Sequence, residues 1–188
     1  MKYIQKNSGS KKIYKILIYF VCFALLILFS AVMQTTCLTV FGKTPAVTFA
    51  VICAIGFIMG DKAGAVAGLF AGVCVDMLGF SGLSFSPVIY MLCGYDCGAF
   101  VGWFLSRNLP SFLVYAAIMG IIKELGTAVS YGLIAEDLNI GNMITKLLIP
   151  EYFAYLIFVL PSYGAVYGIY WLFKGKEKRE KHSYNDFL

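Results

Sequence analysis

Hydropathy along the 188-residue chain rises in six apolar stretches, Ile13–Met33, Pro45–Met59, Ala63–Leu78, Leu83–Leu105, Ser111–Ile134 and Leu147–Phe173. A helix of about 20 apolar residues crosses a bilayer, so each stretch is read as a membrane span. The second and third are short, and only Gly60-Asp61-Lys62 lies between them, which predicts a tight helical hairpin. The last stretch is long and includes Pro150 and Pro161. Pro161 is expected to kink it, because proline lacks the helical donor and clashes with the preceding turn. The predicted fold is all-α: a polytopic membrane protein whose six-transmembrane-helix bundle occupies residues 13–173, between basic tails at 1–12 and 174–188.

Composition strengthens this reading. Hydrophobic residues make up 60% of the chain and charged residues 13%, with a mean hydropathy of +0.80, which excludes a water-soluble domain of this size. Charge then sets the orientation. Four lysines precede the first span (Lys2, Lys6, Lys11, Lys12) with Lys15 at its very start, and five basic residues follow the last (Lys174, Lys176, Lys178, Arg179, Lys181). With both termini inside, Lys62 and Arg107 fall in inner loops and only Lys43 and Lys146 in outer ones, as the positive-inside rule requires. Both tails are therefore expected in the cytoplasm, where they fix topology or touch anionic lipid headgroups. The first apolar run is too long for a signal-peptide core, and no small-x-small cleavage site follows it, so it is read as a retained span.

Few residues carry chemistry. Of six cysteines, Cys22, Cys53, Cys74, Cys93 and Cys97 lie within spans and Cys37 just beyond the first, with no CxxC among them. Cys93 and Cys97 share a helix face, but two thiols alone do not make a metal site. The single histidine, His182, lies in the C-terminal tail, and GxSxG, HExxH and GxxxxGK[ST] are all lacking. "GYDCG" at 94–98 contains the YD of intramembrane aspartyl proteases, without the GxGD that completes their signature. No enzyme activity, metal, cofactor or nucleic-acid partner is expected.

What the spans do carry is a small-residue pattern ending in charge. Gly64, Gly68 and Gly72 recur every fourth residue, Asp76 takes the next such place, and Ala63, Ala67 and Ala71 run beside them. Helices in lipid associate through close backbone approach on such faces. The fourth span has a matching row, Gly94, Gly98 and Gly102. These rows are expected to pack on each other or on neighbouring helices, or to dock a partner's transmembrane helix. A carboxylate in a span faces the interior or a polar cavity and finds a partner. By helical rise Asp76 lies about 20 Å from the inner end of its span, Lys123 about 18 Å and Asp96 about 14 Å. Depth therefore favours a Lys123–Asp76 pair, with Asp96 as second choice. Glu124, about 100° further round the helix, is expected to find a Tyr or Thr hydroxyl. The network reads as a structural ion pair or as a switch or ligand anchor.

Between about Gln34 and Gly102 the chain resembles the rod shape-determining MreD family. The elements that carry the likeness are Gln34-Thr35, Pro45 opening the second span, Gly60, the glycine row ending at Asp76, Gly82-Leu83 and Gly94-Tyr95. One departure is Ala46, where that family often has Asp, so a polar contact at the outer mouth of the second span is in question. The resemblance implies a non-enzymatic scaffold of bacterial cell-wall elongation in the plasma membrane. Its implied partners are an MreC-like protein, an MreB-like filament, RodA, a class B penicillin-binding protein and membrane lipids. The size and topology also resemble substrate-binding S-components of energy-coupling factor vitamin transporters, whose architecture the MreD family resembles. Those dock their coupling protein through Ala-x-x-x-Ala on the first span. Here the first span has Ala24 and Ala31 without such a pair, and the second has Ala46, Ala50 and Ala54.

Overall fold

The computed structural model describes residues 3–36, 44–79, 85–103, 108–134 and 149–185, with side-chain surroundings for 18–36, 44–79, 85–101, 108–129 and 149–172. Among these residues the chain is all-helical, with α1 at Tyr3–Thr36, α2 at Val47–Met59, α3 at Asp61–Leu78, α4 at Ser86–Trp103, α5 at Leu109–Ile134 and α6 at Ile149–Asn185. The helices coincide with the six apolar stretches, and the first and last extend beyond them into the basic segments. At the C-terminal end that extension follows from the helix propensity of Lys and Glu. Pro150 sits in the first turn of α6, where its missing N–H costs nothing. Pro161 lies inside the same continuous helix. Residues 135–148, with Lys146, and residues 37–43, with Cys37 and Lys43, lie outside the described residues.

A single residue, Gly60, joins α2 to α3. Its φ of +102° and ψ of 179° belong to a region open essentially to glycine alone. Its N–H closes α2 on Gly56 O at 2.9 Å, and its carbonyl accepts the first α3 bond from Gly64 N at 3.0 Å. One glycine thus ends one helix, starts the next and reverses the chain. Packed neighbours in sequence run antiparallel throughout: Gly64 meets Gly94 and Gly72 meets Pro87 between α3 and α4, and the Tyr155 hydroxyl reaches Ala116 O between α6 and α5.

At the centre stands α2. Every residue from Thr48 to Ile58 is buried, and α2 touches each of the other five helices. A helix apolar on all sides is one enclosed by others, and here two aromatic groups grip its ends. Phe49 packs against Tyr90 and Tyr155 with ring centroids 5.2 and 5.7 Å apart. Phe57 packs edge-on to Phe112 at 5.3 Å and to Tyr163 at 6.4 Å. Around this core the outward faces are themselves apolar, as with Leu25 and Phe29 on α1, Val66 on α3, Val114 on α5 and Ile157 on α6. A water-soluble monomer does not display apolar surface on this scale. Three stretches, Ile18–Thr36, Leu109–Val129 and Ile149–Leu172, are long and apolar enough to cross a membrane. The described residues are all-helical, with apolar helices and outward faces suited to a membrane.

Candidate functional site

The α3–α4 contact is the most extensive among the described residues, and it is built on glycine. A Cβ added at Gly64 would stand 2.1 Å from Gly94 O, one at Gly68 2.2 Å from Tyr90 O, and one at Gly72 2.3 Å from Pro87 Cα. From the other side, a Cβ at Gly94 would meet Gly64 O at 2.3 Å and one at Gly98 the Asp61 N at 2.1 Å. Such contacts lie far inside van der Waals separation, so hydrogen is the only side chain the seam accepts. The surroundings of Gly102 lie outside the described residues. Because α4 covers the α3 row, that row offers no free surface to a partner's helix. Gly56 of α2 joins the same place, with its Cβ position 2.5 Å from Gly94 O and its Cα 2.8 Å from the Cβ position of Gly64. Three backbones therefore meet where α2, α3 and α4 converge. Gly56 carries a sequence signal only as the lone glycine in a helix of larger apolar residues.

Polar side chains gather at the opposite end of the bundle from Gly60, where α1, α3 and α5 finish and α2, α4 and α6 begin. Ala46 supplies no side-chain cap to α2. Gln34 of α1 does so from across the contact, its Oε1 accepting the Thr48 N–H at 3.1 Å. That bond satisfies one of the donors a helix leaves open at its N-terminus, and it answers the question raised by the missing aspartate. Beside it the Ser30 hydroxyl donates to Ile27 O at 2.8 Å and lies 3.5 Å from Thr48 Oγ1. The buried ring of Tyr90, packed against Phe49, lies beside this group.

Next to Tyr90 lies the charge. Lys123 does not pair with Asp76 or with Asp96. Its Nζ donates to Glu124 Oε1 at 2.9 Å and to Glu151 Oε1 at 2.5 Å. The depth comparison placed Lys123 and Asp76 at similar heights but said nothing of which helix faces which. Antiparallel packing of α5 on α6 sets Glu151 opposite Lys123, and the flexible lysine stem folds back to Glu124. Glu124 thus finds an ammonium and not a hydroxyl; the nearby Thr127 hydroxyl donates instead to Lys123 O at 2.9 Å. Asp76 is half-buried, and its Oδ1 has no hydrogen-bond partner among the described residues. Asp96 is also half-buried, and its backbone carbonyl accepts from the Tyr115 hydroxyl at 3.2 Å. Glu151 escaped the sequence reading because a carboxylate just after a proline, in the first turn of an apolar stretch, reads as a favourable helix start.

Lys123 and Glu124 are each 6% exposed, and the Glu151 side chain is 20% exposed. One ammonium faces two carboxylates, so the cluster carries a formal charge of −1. Among the described residues no group of three or more His, Cys, Asp or Glu could hold a metal ion, and the buried Cys53, Cys93 and Cys97 are free thiols packed between α2 and α4. An apolar cleft of about 190 Å³ opens between α1 and α3, floored by Ile55 and Met59. No family model, curated protein or solved structure matches the chain.

Proposed function

We propose that the protein is a non-enzymatic membrane scaffold of bacterial cell-wall elongation, resembling MreD. On this reading it is a six-span bundle of the plasma membrane with both termini in the cytoplasm, like S-components in architecture. The observation that carries the proposal is where the residues of the resemblance sit. Gln34 caps α2, Pro45 is buried at the start of that helix, Gly60 makes the reversal into α3, and Gly64, Gly68, Gly72 and Gly94 form the seam. Residues that are separate in sequence thus act together to set the packing of α1 to α4. The proposed partners are an MreC-like protein, an MreB-like filament, RodA and a class B penicillin-binding protein. Depletion in the native rod-shaped host is expected to round or swell the cells and to disperse the labelled wall-synthesis complex. Unchanged width and a persistent complex after complete depletion would falsify the scaffold reading.

A second reading, a vitamin-binding S-component, is favoured by one observation: the buried polar group around Tyr90 and Lys123 at the end of the bundle away from Gly60. In that case the depleted cells keep their shape and lose uptake of one vitamin. Measuring shape and uptake in the same strain separates the two.

A further inference from the structure

We propose that the Lys123–Glu124–Glu151 cluster binds one monovalent alkali cation of the sodium class. The proposal is independent of the scaffold reading. Two observations carry it. The first is charge: Lys123 offsets only one of the two carboxylates it touches, and the remainder sits in a low-dielectric interior where an uncompensated charge is costly. The second is an oxygen without a bond. Glu124 is 6% exposed, its Oε1 is bound to Lys123, and its Oε2 is buried with no hydrogen-bond partner among the described residues.

The class of ligand follows from these two facts. A single positive charge makes the cluster neutral, whereas a divalent ion overshoots. Carboxylate oxygens are hard donors that suit hard cations. Thr127 adds a neutral oxygen: it lies three residues beyond Glu124 on the same helix face, and its hydroxyl spends its hydrogen on Lys123 O, leaving lone pairs to accept. Glu151 is the most exposed member, its side chain 20% exposed at that end of the bundle. Bound there, the ion ties α5 to α6 through both carboxylates.

The test uses the full-length protein purified in a mild maltoside detergent and exchanged into choline chloride. Sodium chloride replaces choline chloride at constant ionic strength and pH while unfolding is followed by intrinsic fluorescence. A saturable rise in Tm is expected, roughly 3–6 °C at tenfold excess over the apparent Kd. Glu124→Gln removes the unpaired anionic oxygen and is expected to abolish the rise, while Asp96→Asn, remote from the cluster, keeps it. Equal Tm in sodium and choline overturns the proposal, as does a full sodium response in Glu124→Gln. A Tm that follows pH and ignores sodium assigns the charge to a proton and likewise overturns it. If Glu124→Gln does not fold, equilibrium binding of radioactive sodium to the wild-type protein decides, and a lack of saturable binding rejects the site.

Discussion

Gly64→Ala tests the seam with the smallest possible change. The new methyl carbon arrives 2.1 Å from Gly94 O, 2.8 Å from Gly56 Cα and 2.8 Å from Gly94 C. All three are backbone atoms of packed helices, so no rotamer relieves the clash. Restoring ordinary contact, about 3.4 Å, requires α3 and α4 to part by roughly 1.3 Å. A gap of that size forfeits a quarter to a half or more of the dispersion energy along the contact. Forced overpacking of this kind costs about 3 kcal/mol at the upper end of its usual range. Alanine's better helix propensity returns up to about 1 kcal/mol, leaving a net loss near 2 kcal/mol. For a chain of this length that lowers Tm by roughly 4–8 °C. Gly164 and Gly168 on α6 are the controls, since a Cβ at either meets nothing within 4 Å. Alanine there gains propensity without a clash, so the sign reverses and Tm holds or rises slightly. Thermal unfolding in detergent, followed by circular dichroism at the helix band, reads both. A Gly64→Ala protein as stable as wild type would show that the helices are not held by backbone contact at that point. Equal damage at Gly164 would show that the loss comes from something other than the seam.

Further outcomes follow from the polar groups. Lys123→Met leaves two carboxylates facing each other and is expected to cost about 3–5 kcal/mol, seen as lost monodisperse yield on size exclusion. Adding Glu124→Gln and Glu151→Gln to it recovers most of that yield. Because Lys123 has other partners, Asp76→Leu and Lys123→Leu should be additive to within about 0.5 kcal/mol; a larger coupling in the double-mutant cycle restores the Asp76–Lys123 pair. Tyr155→Phe deletes the buried bond to Ala116 O, 2.8 Å long, and should lower stability by about 0.5–1.5 kcal/mol, since that carbonyl, inside α5, keeps its helical donor. Gly60→Ala puts a side chain at φ +102° and ψ 179° and should cost about 1–3 kcal/mol, with Gly60→Asn no milder, because asparagine tolerates the αL region and not this one.

The helices were legible because each is an apolar run with a clear end, and the Gly64–Gly94 contact because a four-residue glycine repeat marks one line on a helix. What spacing does not hold is the rotation of one helix against another. Lys123 and Asp76 stand at similar heights, yet α5 turns its lysine toward Glu151 on α6. The central position of α2 had a signal that the sequence reading took only as shortness: Thr48 to Ile58 contains no polar face at all. The cap from Gln34 lies beyond any local pattern, since it joins residues 14 apart through a contact between helices.

Enclosure of α2 bears on how the chain enters the membrane. Thirteen residues make a helix about 20 Å long, short of the roughly 30 Å hydrocarbon layer, so α2 is a poor candidate for release into lipid on its own. Its one-residue link to α3 makes the two a single insertion unit, delivered together behind α1. Even then its sides toward α4, α5 and α6 stay open until those helices emerge from the ribosome and close round it. Biogenesis is therefore ordered from the outside inward in space though not in sequence. The second helix to be synthesised is the last to be sealed, and a chain halted after α3 is expected to remain with the insertion machinery or to be cleared by membrane proteases.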